Sequence, residues 1–158
     1  MALQHKGMVA LVGALGFVVL GSPGIAQDKA AIVKDRQAYM KNQGADTKTI
    51  GDYAKGMADK ASAIKAIDDL LARNPKMLAL FAPGTSTTDM PGVSYAKPAI
   101  WTDKDHFAMT ISTLHDLEVK EAALIKTGTP AEVGAGLADL GKNGCGGCHA
   151  AFREKKPE

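Results

Sequence analysis

Four stretches of this chain place apolar residues three and four positions apart, and clusters of Gly, Pro and Thr separate them. That spacing gathers the apolar side chains on one helical face, and the two-residue alternation of a half-buried strand is absent. The first stretch begins near Asp28, carries Ile32, Val33, Arg36, Met40 and Gln43 on one face, and runs towards Met57, with Gly44 the natural place for a break. The second runs from about Asp59 to Arg73 on Ile64, Ile67, Leu70 and Leu71, and Asn74-Pro75 stops it. A third should start near Thr102 or Asp103, turn Phe107, Ile111, Leu114, Leu117 and Leu124 inward, and end at Thr127-Gly128. The fourth has the clearest start: Thr129 can cap free backbone N–H groups, Pro130 suits the first turn, and Glu132 can complete a capping box. Short joints at 57–59 and 127–129 favour antiparallel neighbours, so the expected fold is all-α, an antiparallel up-down four-helix bundle. Pro83, Gly84, Pro91, Gly92 and Pro98 forbid one helix between the second and third stretches, and this long connection is expected to cross from one helix end to the next helix start.

Ahead of the first stretch, His5 and Lys6 precede the nearly uncharged run from Gly7 to Leu20, and Gly21-Ser22-Pro23-Gly24-Ile25-Ala26 follows it. A basic start, a short apolar run and a small-residue exit describe a secretory signal peptide, cleaved after Ala26. The run is shorter than the roughly 20 residues a membrane-spanning helix needs. Residues 1–26 are therefore expected to be removed, leaving a single domain over 27–158 in the periplasm. Without Lys6, the mature chain keeps 18 of the 19 Lys and Arg against 17 Asp and Glu, a formal charge of +1. Nucleic-acid binding needs a strongly basic face to displace counterions from phosphates, and this balance provides none.

The chemistry lies at the end of the fourth stretch, in Cys145-Gly146-Gly147-Cys148-His149. C-x-x-C-H is the pattern of covalent haem attachment, in which two thiols add to the porphyrin's vinyl groups and the adjacent imidazole takes the iron. Helical spacing explains the pattern, because positions three apart share one face. Other chemistry uses the same cysteines. A structural disulfide suits an exported protein but leaves His149 without a task. Thiol exchange normally sits on a βαβ-type fold with the motif opening a helix, whereas here it closes a helical chain. Zinc would need further ligands, and His106 and His115 lie too far apart along the third helix to share one ion easily; both read as surface histidines. Gly146 and Gly147 each cost about 1 kcal/mol of helix propensity relative to Ala, a cost that a close approach of haem to the backbone would explain.

A C-x-x-C-H near the C-terminus resembles the class II cytochromes c, the cytochrome c prime family of four-helix bundles. Asp35-Arg36-Gln37-Ala38-Tyr39-Met40-Lys41 resembles that family's first-helix R-Q-x-x-M/L pattern, and Phe81-Ala82-Pro83-Gly84-Thr85 its F-x-P-G-T turn. Ile100-Trp101 matches the I-W before the third helix, and His149-Ala150-Ala151-Phe152-Arg153 the H-x-x-Y/F-R ending. The resemblance implies one haem c on Cys145 and Cys148, near the C-terminal end of the fourth helix, with His149 as proximal iron ligand. It also implies Arg36 near a haem propionate and Arg153 near the proximal imidazole. Trp101 is expected to lock the junction before the third helix and to touch the haem edge, and Phe81, Phe107, Tyr53 and Phe152 are candidates for the pocket wall.

Met40 falls at the family's distal position, one helical turn after Arg36. As a sixth ligand its thioether would give a low-spin iron whose coordination hardly changes on electron transfer, and the protein would be a one-electron carrier with no substrate turnover of its own. As a packing residue it would leave a five-coordinate iron and a site for a small gas ligand such as nitric oxide or carbon monoxide. The electron carrier is the first expectation, the gas-binding protein its alternative, and an exported thiol oxidoreductase the last. Redox proteins are the expected partners, and the resemblance allows a homodimer through the first two helices. A chain expressed in a host that matures c-type cytochromes should keep peroxidase colour on a denaturing gel. A colourless band would overturn haem attachment.

Overall fold

A computed structural model describes residues 28–155. The signal-peptide reading of residues 1–26 lies outside them. The described residues form α1 (Lys29–Ala54), α2 (Lys60–Arg73), the single turn α3 (Ala99–Thr102), α4 (Lys104–Thr127), α5 (Pro130–Asp139) and α6 (Gly147–Phe152). A wide π-type turn, Leu140–Gly146, joins α5 to α6. Contacts run from α1 to α2, α2 to α4, α4 to α5 and α5 back to α1, so the long helices close a four-helix bundle with up-down connections. Among the described residues, no helix is long and apolar enough to cross a membrane.

The helix starts follow from their caps. Asp28 and Asp59 accept hydrogen bonds from Ala30 N and Ser62 N at the heads of α1 and α2. At the head of α5, Thr129 N donates to Glu132 at 2.7 Å while Glu132 N donates back to Thr129 Oγ1 at 3.3 Å, which is the expected capping box. Gly128 ends α4 where anticipated. α1, however, passes straight through Gly44. The propensity cost of one exposed glycine is smaller than the packing that holds the helix on either side.

The core divides into two clusters along the bundle. Ile50, Ile67, Ile125 and Val133 are fully enclosed at one end, with Tyr53 packed against them. Tyr39, Met77, Ile100, Phe107, Ile111, Leu114, Leu140 and Phe152 fill the other, beside both cysteines. Tyr53 is therefore remote from the cysteine motif, because it sits more than three helical turns after Met40 on α1.

The inward face of α4 departs from expectation. Leu117 and Leu124 are half-buried, and the fully buried positions after Leu114 are Glu118, Glu121, Ala122 and Ile125. The spacing that brings Phe107, Ile111 and Leu114 inward continues through both glutamates. Glu121 has no hydrogen-bond partner on either carboxylate oxygen among the described residues. It fits only because Gly136 on α5 lacks a Cβ, which would collide with the carboxylate.

Burial pushes the Glu121 carboxyl up to about 7, the nearby Lys120 opposing it. The folded chain then holds a proton that the unfolded chain releases near pH 4.5, so stability falls as pH rises through this window and stays lowered above it. Glu121→Gln should therefore unfold later than the native protein at pH 8, by up to ~3 kcal/mol, and at a similar point at pH 4.5. Urea unfolding at the two pH values checks this; a variant no more stable at pH 8 would refute it.

Candidate functional site

The long connection forms one wall of the site. After α2, two short turns bring the chain to Phe81, and two Pro-Gly turns follow. Gly84 and Gly92 have φ of +76° and +75°, values that favour glycine after proline in such turns. Thr85 Oγ1 closes the first turn on Ala82 O at 2.7 Å, and Val93 N closes the second on Met90 O at 3.2 Å. The chain then runs antiparallel to the end of α6, where Ala96 pairs with Arg153, Lys97 N donates to Phe152 O and Glu154 N donates to Tyr95 O. The connection thus crosses the end of the bundle, as expected, and closes over the cysteine motif.

Arg36 holds this connection to α1. Its guanidinium donates to Leu80 O, Thr85 Oγ1, Thr85 O and Ser94 Oγ at 2.9–3.3 Å and lies over the Phe81 ring, 4.9 Å from its centre. Both terminal nitrogens are engaged, leaving only Nε–H of the five donors. The side chain is 6% exposed. In this structure the side chain is a tether between helix and loop, at the edge of the cavity where the resemblance implies a propionate. Trp101 serves the same wall: its Nε1–H donates to Phe81 O at 3.0 Å, locking the loop to α3. It is not among the residues lining the cavity described next.

Behind the loop lies a cavity of about 370 Å³, within the range of small-molecule and cofactor sites. α1 contributes Val33, Arg36 and Met40; the connection contributes Phe81 and Tyr95; α6 and the residue after it contribute Cys148, His149 and Arg153. Phe107 and Phe152 complete the wall, with edge-to-face contacts of 5.0 Å between Phe81 and Phe107 and 5.1 Å between Phe107 and Phe152. Met40 and His149 therefore face the same space from different helices. Met77 is core, and Met57 and Met109 are exposed. His106 and His115 are exposed as expected, His106 resting against Phe152 with ring centres 5.0 Å apart.

The π-type turn aims the motif, and its signal in the sequence was the run of Gly141, Gly144, Gly146 and Gly147. A Cβ on Gly144 would press on Leu114 and Leu140 at 3.0 and 3.2 Å, and one on Gly146 would press on Gly141 O at 3.0 Å. A side chain at Gly144 would force the leucines of α4 to shift, so glycine there lets the turn pack closely on that helix.

The cysteines are free thiols, both half-buried. Burial pushes Cys148 up to about 11, aided by Cys145, and pushes Cys145 up, aided by the Glu118 charge. Such thiols stay protonated at neutral pH and are poor exchange nucleophiles. Burial, and then the Arg153 charge, lower the His149 pKa, so the imidazole is neutral and can give a lone pair to a metal. A free Cys148 thiol and a neutral His149 imidazole at a largely apolar cavity, with the second free thiol, Cys145, three residues earlier and packed against the same core cluster, fit a covalently attached haem.

Comparison with known proteins agrees. A family model described as Cytochrome C' matches residues 31–153. The chain belongs to the cytochrome c prime family. It is 34% identical to a cytochrome c-554 of Cereibacter sphaeroides over 65% of this chain and 71% of that protein. A solved cytochrome c' from Rhodobacter spheriodes superposes with a TM-score of 0.73 at 29% identity, covering 82% of this chain and 99% of the other. A cytochrome c prime from Alcaligenes xylosoxidans, a single-residue variant solved in the ferrous form with bound NO, gives 0.69 at 27% identity, over 81% and 97%. Proteins of this family carry covalently attached haem c.

Replacing Arg36 strands buried acceptors that its loop needs. Arg36→Leu should cost about 3 kcal/mol or more in stability and speed amide hydrogen exchange at 85–97, and Arg36→Lys should restore part of the loss. Unchanged exchange in that segment would refute the tether.

Proposed function

We propose that Cys145 and Cys148 hold one haem c, that His149 is its proximal ligand, and that the cavity beside Met40 admits a small uncharged gas, nitric oxide or carbon monoxide. The observation that carries this reading is the cavity wall: Val33, Met40, Ile100 and Phe107 present apolar surface, and the terminal donors of Arg36 are already engaged. A neutral diatomic needs no charged or hydrogen-bonding partner, so the apolar part of this wall can receive one without a polar contact. Bound haem supplies a redox-active iron with a coordination position for such a ligand.

The chain's own side chains account for the rest. The neutral His149 imidazole offers its lone pair, burial and then the Arg153 charge keep it neutral, and the Phe81, Phe107 and Phe152 rings exclude water. Met40 fills the distal side and limits the size of what enters. The solved relative that holds NO supports this assignment for the present chain. Export to the periplasm, with cleavage after Ala26, is part of the same proposal.

One observation favours a second reading. Of the described methionines only Met40 lines the cavity, and it does so one turn after Arg36. With its thioether as sixth ligand the protein would be a one-electron carrier serving redox partner proteins. The all-helical fold and the protonated thiols both argue against a thiol oxidoreductase.

Absorption spectra of the purified ferrous protein, with and without carbon monoxide, separate the two. Gas binding predicts high-spin bands, a stoichiometric response to carbon monoxide, and an unchanged spin state in Met40→Leu. Sharp low-spin bands that become high-spin in Met40→Ala would assign electron carriage instead.

A further inference from the structure

The middle of the bundle holds polar groups that the proposed pocket does not use. Glu118 on α4 is 1% exposed, and its carboxylate accepts a hydrogen bond from Asn74 Nδ2 at 3.1 Å. No ion pair reaches it among the described residues; Arg73 on α2, half-buried, is held by Asp46 and by Gln43 Oε1. α1 also brings Tyr39, whose hydroxyl has no partner among the described residues. On α4 itself, His115 stands one turn earlier and is exposed to solvent. From the other side the π-type turn presents Cys145, whose thiol feels the Glu118 charge, and Gly144 packs on Leu114 and Leu117 of α4. An isolated buried carboxylate thus lies against the segment that carries the haem attachment.

We propose that Glu118 is a redox-linked proton acceptor. When an external one-electron donor reduces the ferric haem, the Glu118 carboxylate takes one proton from solvent, and it returns that proton on reoxidation. One electron and one proton enter together, so the buried interior gains no net charge. The inference rests on the haem reading of Cys145, Cys148 and His149, and it holds whichever way the distal side is used.

The physical cause is the cost of a lone charge in a medium of low dielectric. Ferric haem carries one more positive charge than ferrous haem, and that charge stabilises a nearby carboxylate. Reduction removes it, and protonation becomes the cheaper way to keep Glu118 buried. Burial already pushes this carboxyl upward, with Asn74, His115, Gln43 and Arg73 opposing. Glu121, three residues further on, is also buried, but it packs against α5 at Gly136, beyond the cysteine end of α4.

The test is a spectroelectrochemical titration of the holoprotein between pH 5 and 9. In the native protein the reduction equilibrium should fall with rising pH, approaching tenfold per pH unit, or about 59 mV, between the oxidised- and reduced-state pKa values. Glu118→Gln, which keeps an oxygen for Asn74, should lose most of that slope, and Glu121→Gln should retain it. A pH-indicator dye should register proton uptake on reduction of the native protein and little in Glu118→Gln. If Glu118→Gln does not mature, Asn74→Leu removes the hydrogen bond to the carboxylate and should move the slope to higher pH. Reversible reduction with a flat native profile, an unchanged slope in Glu118→Gln, or an unmoved slope in Asn74→Leu would overturn the proton proposal alone. Absence of a reducible haem would overturn it together with the haem reading.

Discussion

The buried Arg36 guanidinium is the interaction on which the site depends. It stands on α1 and reaches a connection 44 to 58 residues further along the chain, donating to oxygens from Leu80 to Ser94. A loop punctuated by Pro83, Pro91 and Pro98 and by two positive-φ glycines has few backbone hydrogen bonds of its own. A planar fork with fixed donors can satisfy several of its acceptors at once, which a lysine could not do. With the loop held, Phe81 and Tyr95 line the cavity, Ala96 pairs with Arg153, and the end of α6 is fixed relative to α1. The distance between the Met40 and His149 sides thus depends on a contact made by neither residue.

α4 shows how one helix can serve packing and electrostatics on a single face. Phe107, Ile111 and Leu114 build the aromatic end, and the same spacing then drives two carboxylates into the interior. The two are handled differently. Glu118 keeps one hydrogen bond and lies beside the haem-attachment turn, whereas Glu121 relies on the space left by Gly136 and has no partner among the described residues. Neither is a stabilising feature in isolation, since each carries a desolvation cost when ionised. The place of Glu118 on a core face is easier to understand as charge management beside the cysteine motif than as packing, whereas Glu121 lies further along α4, against Gly136.

Local signals were the legible part of the sequence. The capping box at Thr129 and Glu132, the start of the second helix at Asp59, the stop at Gly128 and the helix-free stretch around Pro83-Gly84 and Pro91-Gly92 depend on neighbours within a few residues, and all stand where the side-chain chemistry put them. The C-x-x-C-H motif stands at the end of the bundle that holds the cavity. Long-range partners were not legible. Nothing near Arg36 in sequence reveals Thr85 or Ser94, so its tether to the connection was not legible there. The α4 stripe was read by residue type, which favoured Leu117 and Leu124; read by spacing alone, it leads through Glu118 and Glu121. Gly146 and Gly147 were seen as a propensity cost, but the wide turn that the glycines from 141 to 147 permit requires knowing that Leu114 and Leu117 press against it.

That turn also explains why the motif can afford so little intrinsic order. Gly146 and Gly147 leave the free chain with more conformations to lose, at a cost of about 1 kcal/mol each relative to Ala. A prosthetic group joined at both Cys145 and Cys148, as proposed, would close the segment covalently and remove much of the same freedom from the unfolded chain, as a cross-link does. Glycine's flexibility then costs least where the attachment is made, while its lack of a side chain still lets the turn pack on α4. The folded cavity, in turn, is built from α1, the connection and α6, three segments brought together only by the tertiary fold. On the proposed reading, attachment at the turn and closure of the loop by Arg36 would therefore be complementary: the first would order the His149 side, and the second holds the Met40 side at a fixed spacing from it.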